Sequence, residues 1–267
     1  MRCDYHLHSS ISADSSTSPI EQIRQAEALG LEEICFTEHL ELHFYRGEDW
    51  KVNLQEYKKR FDQLTSSSVR IKFGVEAGIA LAPEYFPELE DELRSMSFDF
   101  VLASAHSVNN VDPFDPAFFA GKTLPQAFKD YISVILNGVQ RLHPDLYCSV
   151  GHIDFPAKGT HSEKDSRLFY RYASDEIDAL FRYIIPLGKC IEVNTATYRS
   201  LGQLEPPGED WLRRYVELGG EYVTFGSDAH SPEYINYRID DAMEIARRAG
   251  IKYYATFDRM KPVFHKL

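Results

Sequence analysis

Nine side chains able to bind metal recur along the chain in short bursts, each just after an apolar run: His6 and His8, Asp14, His39, Glu76, His106, His152, then Asp228 and His230. Imidazole and carboxylate ligands without thiolate suit Zn, Mn or Fe, and several such ions held together activate water against a phosphate or carbonyl centre. His6-Leu7-His8 places two imidazoles at i and i+2, hence on one face of a strand and within reach of one ion. With ten histidines in the chain, a chance His-x-His is not rare, and a strand-end histidine is often a plain hydrogen-bonding residue. What decides for ligands is that Glu76 and Asp228-Ala229-His230 end other strands of the same series.

Gathering ligands from almost the whole chain requires a fold that brings many strand ends to one place. Apolar strand-like runs alternate with amphipathic helical ones, the signature of parallel βα units. Strands are expected at Ile34 to Thr37 before His39, Val69 to Val75 before Glu76, Phe98 to Ser104 before His106, Leu146 to Val150 before His152 and Tyr222 to Phe225 before Asp228. Ile191 to Asn194 is a further strand, and Lys252 to Thr256 is either a last strand or a closing tail. Ser18-Pro19-Ile20-Glu21 reads as an N-cap, a first-turn proline and a capping-box glutamate, with Gly30 closing that helix. Other helices are expected over Leu54 to Leu64, Pro83 to Arg94, Leu124 to Leu142, Lys164 to Ile184, Asp210 to Leu218 and Glu233 to Ala249. In a parallel barrel of seven or eight strands every C-terminal end reaches one rim, so the ligands converge there. The long stretches Glu41 to Asn53 and Ser107 to Lys122 leave that rim and are candidate substrate lids.

A length of 267 residues suits a single barrel, and the spread of the ligands makes residues 1–267 one domain. The composition, 43% hydrophobic and 26% charged, is that of a globular chain with a large core. A net charge of −12 repels polyanions and argues against nucleic acid as a partner, leaving a small molecule. Cys3, Cys35, Cys148 and Cys190 form no C-x-x-C pair and read as buried free thiols. The N-terminus lacks an apolar signal region and no run of about 18 apolar residues occurs, so no membrane partner and a cytoplasmic location are expected.

Asp4-x-His6-x-His8, Glu38-His39, Gly74-Val75-Glu76, Ser104-Ala105-His106, Gly151-His152-Ile153-Asp154 and Ser227-Asp228-Ala229-His230 together resemble the polymerase-and-histidinol-phosphatase (PHP) family of metal-dependent phosphoesterases. The resemblance covers residues 1 to about 232 and implies an α/β fold, a distorted (β/α)7 TIM-like barrel, with a trinuclear metal site at the C-terminal rim of the strands. It implies three divalent transition-metal ions, Zn, Mn or Fe. His6, His8, Glu76 and Asp228 would form the first site. Asp14, His39 and His230 would form the second. Glu76 would bridge to a third made with His106 and His152. Some members carry histidine where Asp14 stands, and the extra carboxylate should harden the second site towards Mn or Fe. The chain length, the block Glu33 to His39 with its aromatic loop (Phe44, Tyr45, Trp50), and the segment Ala255 to Pro262 look like the stand-alone histidinol-phosphate phosphatases of this family. The activity so implied is hydrolysis of L-histidinol phosphate in histidine biosynthesis.

Three divalent ions set against three carboxylates and a hydroxide leave a positive centre that a phosphate monoester dianion balances better than a diester. Lys158 and Arg199 leave strand ends and are candidates for the phosphate oxygens, against the plain readings of a solvated lysine and a surface ion pair. Asp14, His39 and Asp154 are candidate proton donors to the leaving alkoxide. Asp4 is expected to orient a ligand histidine. His43, His143, His161 and His265 match no motif, and surface or capping roles are expected for them; His43 alone lies in a candidate lid. The rival readings are a PHP exonuclease or nucleotide phosphatase, which calls for a basic channel, and an amidohydrolase, which commonly bridges its metals with a modified lysine where this chain has Glu76. A non-catalytic metal-binding module is opposed by the complete ligand set.

Overall fold

The computed structural model describes residues 1–44, 50–160, 165, 167–201 and 208–267, so Tyr45, His161 and Lys164 lie outside the described residues. One sheet of nine strands runs in chain order: β1 (Cys3–Leu7), β2 (Glu33–Leu40), β3 (Arg70–Gly78), β4 (Phe100–Ser104), β5 (Ser149–Val150), β6 (Cys190–Asn194), β7 (Tyr222–Gly226), β8 (Tyr253–Asp258) and β9 (Lys261–Lys266). Strands β1 to β8 pair in parallel, and β9 returns antiparallel to β8. Leu7 also bridges in parallel to Ala229, just past β7, where His8 N donates to Ala229 O at 3.0 Å. β1 therefore has backbone partners on both sides.

The connections are helical: α1 (Pro19–Ala28), α2 (Leu54–Phe61), α3 (Phe86–Arg94), α4 (Pro116–Phe119), α5 (Leu124–Arg141), α6 (Phe169–Tyr172), α7 (Ser174–Ile184), α8 (Ala196–Leu201), α9 (Glu209–Glu217) and α10 (Ile239–Ala249). Local chemistry sets their starts. Ser18 accepts from Glu21 N while the Glu21 carboxylate accepts from Ser18 N, which is the capping box expected from the sequence. Asn53 and Thr123 cap α2 and α5. β1, β2, β4, β6 and β7 are buried along their whole length, so both faces are covered and a polar side chain in them needs an internal partner.

Several expectations differ from the structure. The stretch ending at Ile184 is broken at Ala173 into α6 and α7, as Phe169 and Tyr172 pack on Phe128 of α5. α10 begins only at Ile239, because Asn236 and Arg238 adopt left-handed φ values of 57° and 54° and Asn236 N donates to the Asp4 carboxylate. The two short helices α4 and α8 lack a periodicity long enough to announce them. Of the stretch Lys252 to Thr256, Tyr253 to Thr256 prove to be part of a strand, and a ninth follows through a turn at Arg259 and Met260, both left-handed. Neither is glycine or asparagine, so the turn carries no sequence signal; Asp99 holds it instead, its carboxylate accepting from Arg259 N and its carbonyl from Met260 N. All four cysteines are buried and free.

Candidate metal centre

The nine metal-compatible residues converge at the C-terminal ends of the strands. His6 lies in β1, His39 in β2 and Glu76 in β3, while His8, His106 and His152 follow β1, β4 and β5, and Asp228 and His230 follow β7. Among the described residues, three overlapping groups place their ligand atoms within 4.8 Å of one another: His6, His8 and Asp228; His8, Asp14, His39 and His230; and His39, Glu76 and His106. Glu76 sits at the middle, fully buried. Its Oε2 lies 3.3 Å from His6 Nε2, 3.4 Å from His8 Nε2 and 3.1 Å from His39 Nδ1, and its Oε1 lies 3.0 Å from His152 Nε2 and 3.3 Å from His106 Nε2. Asp14 Oδ2 is 2.8 Å from His230 Nε2 and 3.3 Å from His39 Nε2.

The outer nitrogens of two imidazoles are held by carboxylates. His6 Nδ1 meets Glu192 Oε1 at 2.6 Å, and His106 Nδ1 meets Glu41 Oε1 at 2.5 Å. Such partners fix the tautomer and leave Nε2 as a lone pair aimed inward. Those inward nitrogens then face one another, His6 and His8 at 3.0 Å, His106 and His152 at 3.2 Å. Lone pair against lone pair is unfavourable unless a proton or a cation lies between.

The electrostatics say the same. Burial works against charge on Glu76, yet His6 and His106 hold its carboxyl well below the usual range. Burial also opposes ionisation of Asp228 and Asp14, and neighbouring cations and histidines push both down. Burial disfavours the imidazolium of His6, His106 and His39, but the surrounding carboxylates raise all three, His39 to about 9. His8 goes the other way, to about 3, through burial and the charges of His230 and His39. A dry cluster of carboxylates demands internal positive charge, and hard or borderline divalent cations on N and O donors meet that demand. The residues present fit such ions.

Above the cluster opens a cavity of about 450 Å³ lined by Asp14, His39, His106, Asp228 and His230, by the aromatic rings of Phe44, Trp50, Phe114 and Phe155, and by Asp112 and Lys158. Both candidate lid segments thus contribute to its wall. A larger cavity of about 610 Å³, lined by His43, Lys51 and Glu88 among others, shares only Phe44 with it and contains no such cluster.

Lys158 lies in a short 3-10 turn (Phe155–Gly159), with Nζ 3.2 Å from Asp228 Oδ2 and 4.6 Å from the centre of the Phe155 ring. Arg199 is placed differently from the expectation. Its guanidinium donates to the carbonyls of Ser227 and Asp228, both at 3.1 Å, and packs over the Tyr234 ring at 4.4 Å, and it is not among the residues lining the cavity. These contacts are not a surface ion pair; they brace the turn in which Asp228 takes a left-handed φ of 53°. Asp4 meets no imidazole ring; it accepts from His6 N at 3.4 Å, Ser227 N at 2.9 Å, Ser227 Oγ and Asn236 N at 2.7 Å, which ties β1 to the same turn. Asp154 is buried at the head of the Lys158 turn, and burial pushes its carboxyl up to about 6. His43 turns to Glu88 and stacks on Tyr85, His143 caps a turn at Asp145 N, and His265 pairs with Thr256. Sequence reasoning missed Glu41 and Glu192. Glu192 is an acid between Ile191 and Val193 in a fully buried strand, a usable sign of a buried partner.

Residues 4–196 match the PHP domain model. A histidinol-phosphatase of Lactococcus lactis subsp. lactis is 33% identical over 268 residues, covering 97% of this chain and 96% of the relative. A crystal structure of histidinol phosphate phosphatase from the same organism, complexed with zinc, L-histidinol and phosphate, superposes with a TM-score of 0.87 at 32% identity, covering 98% of both chains.

Proposed function

The chain belongs to the PHP domain family, and from that premise we propose that it is a metal-dependent phosphomonoesterase that hydrolyses L-histidinol phosphate to L-histidinol and phosphate. The observation that carries this reading is the set of buried imidazole nitrogens and carboxylate oxygens turned towards one another beneath an open cavity. The Lactococcus relatives add the substrate class.

Three divalent ions are the proposed complement: one at His6, His8, Glu76 and Asp228, one at Asp14, His39 and His230, and one at Glu76, His106 and His152. Bound there, they would supply an activated water and positive charge for the phosphate. The relative holds zinc; the carboxylate of Asp14 favours Mn or Fe at the second position. We take residues 1–267 as one (β/α)7 barrel closed by the Leu7 to Ala229 bridge, working in the cytoplasm.

The chain's own groups divide the remaining work. Lys158 offers its ammonium to a phosphate oxygen from the cavity wall, already aligned by Asp228. Of the three candidate acids, Asp14 and His39 line the cavity 3.3 Å apart, where they would hold the second ion, and Asp154, outside the ligand groups at the head of the Lys158 turn, is the acid left to protonate the leaving alkoxide. The aromatic wall accommodates an imidazole ring, and Asp112, a lining acid outside the three ligand groups, complements an ammonium.

Phosphate release measured from histidinol phosphate, a nucleoside monophosphate and a dinucleotide tests the proposal. Strong preference for the first is the expected result. Equal or faster reaction of the dinucleotide would replace it with a nuclease.

A further inference from the structure

Strand β6 contributes no member of the three ligand groups, yet the carboxylate at its centre touches two of the nine residues. Glu192 is 2% exposed. Its Oε1 lies 2.6 Å from His6 Nδ1, and its Oε2 accepts from His152 N at 2.9 Å and Asn194 Nδ2 at 3.1 Å. A carboxylate so buried is costly unless every lone pair finds a donor, and here each oxygen does. The strand packing is shaped around it. A Cβ on Gly226 of β7 would collide with Glu192 Oε1 and with His6 Cβ, so only glycine lets β7, Glu192 and His6 meet.

We infer that Glu192 is a positioning residue that couples two metal positions, setting the tautomer of His6 in the first and the main-chain placement of His152 in the third. This rests on the metal assignment proposed above. With Glu192 accepting at Nδ1, the proton of His6 is fixed on the outer nitrogen and Nε2 is left as the lone pair facing His8, Glu76 and Asp228. The second oxygen fixes the amide at which the chain leaves β5, which sets where the His152 ring enters the cluster. Glu41 offers the informative contrast, since it supports one imidazole, that of His106.

A glutamine cannot reproduce the arrangement. With its oxygen towards His6, its NH2 group faces two donors, His152 N and Asn194 Nδ2. With its NH2 towards His6, it donates to Nδ1 and moves the imidazole proton to Nε2, where it blocks the ligand lone pair. Either orientation breaks one of the two supports and weakens the other.

The test follows retained zinc against increasing chelator in the wild-type holoenzyme and in Glu192→Gln, Glu192→Asp and Glu41→Gln, with the melting temperature as a fold control. Histidine 15N spectra of the zinc-loaded proteins report the protonated nitrogen of His6. The expected result is that Glu192→Gln gives up two equivalents at about 10–100-fold lower chelator concentration, while Glu41→Gln gives up one. Glu192→Asp should be intermediate, and in Glu192→Gln either the Nδ1 proton signal of His6 is lost or the His152 amide signal shifts, according to which way the glutamine amide turns; either change supports the coupling. Wild-type retention by Glu192→Gln, or loss of a single equivalent as in Glu41→Gln, overturns the coupling while leaving the phosphatase reading intact. A wild-type enzyme that binds no zinc, manganese or iron overturns both, and is recognised before any variant is made.

Discussion

His39 and Glu76 are register partners on adjacent parallel strands, and their buried atoms Nδ1 and Oε2 lie 3.1 Å apart without the alignment of a hydrogen bond. Two polar atoms left in this state inside a protein cost about 1–3 kcal/mol each, and a cation shared by the cluster is what removes that cost. Glu76 reaches five imidazoles with two oxygens, so no other side chain can substitute for it. Glu76→Gln should therefore lower kcat by more than the roughly 10–100-fold typical of losing a supporting partner, with an unchanged circular dichroism spectrum. Retention of above a tenth of the wild-type rate would show that Glu76 does not bridge.

Metal content is the second prediction. Reconstituted enzyme should carry close to three equivalents of first-row transition metal by elemental analysis, and no more than one after reconstitution would remove the trinuclear assignment. Asp14→His should shift the preference of one equivalent from manganese or iron towards zinc, because it replaces a hard oxygen donor with an imidazole nitrogen. An unchanged preference would mean that Asp14 binds no ion.

The convergence of the candidate ligands is legible in the sequence because all but Asp14 stand at or just after the end of an apolar strand run, and parallel strands deliver their ends to one rim. Their supports are less so. Glu192 stands 186 residues from His6, and no local pattern links them. Asp4 and Arg199 sit in motif-like positions that suggest ligand orientation and phosphate binding, but packing sends both to the backbone of the Asp228 turn. There the left-handed residue itself is invisible to sequence, since aspartate carries no obligatory signal for positive φ. The break before α10 has the same origin: the Asp4 carboxylate claims Asn236 N, and tertiary pairing overrides a helical period.

Lys158 and Arg199 should now separate experimentally. Lys158→Ala should lower kcat/KM by about tenfold to several hundredfold, equivalent to about 1.5–3 kcal/mol for a hydrogen bond to a charged group, with metal content unchanged. Arg199→Ala should instead reduce metal retention together with kcat, since it releases the carbonyls of Ser227 and Asp228. Parallel behaviour of the two variants would contradict the division of roles.

A prediction of pure sterics concerns Gly78. A Cβ there would land on the carboxylate of Glu41, which holds His106 Nδ1. Gly78→Ala should displace Glu41 and cost about 10–100-fold in activity although it alters no charged or ligand residue. The double variant Gly78→Ala with Glu41→Gln should be little worse than either alone, because both act through His106. Full additivity in the logarithm of the rate would show that the two residues act independently.

The last prediction concerns substrate choice. Asp112 lines the cavity beside Phe114, and its Oδ1 accepts from Phe114 N at 2.8 Å. Asn in its place keeps that acceptor and removes only the charge. If the carboxylate recognises the substrate ammonium, wild-type enzyme should favour histidinol phosphate over the same imidazolyl phosphate lacking the amine, and Asp112→Asn should lose most of that preference. The loss should appear mainly in KM, since the ammonium is equally charged in ground and transition states and its pairing is uniform binding. Reaction of the deaminated ester should be unaffected, because its phosphate still meets Lys158 and the same ligand cluster. A preference that survives in Asp112→Asn would place the amine against another wall of the cavity, with the monoesterase chemistry undisturbed.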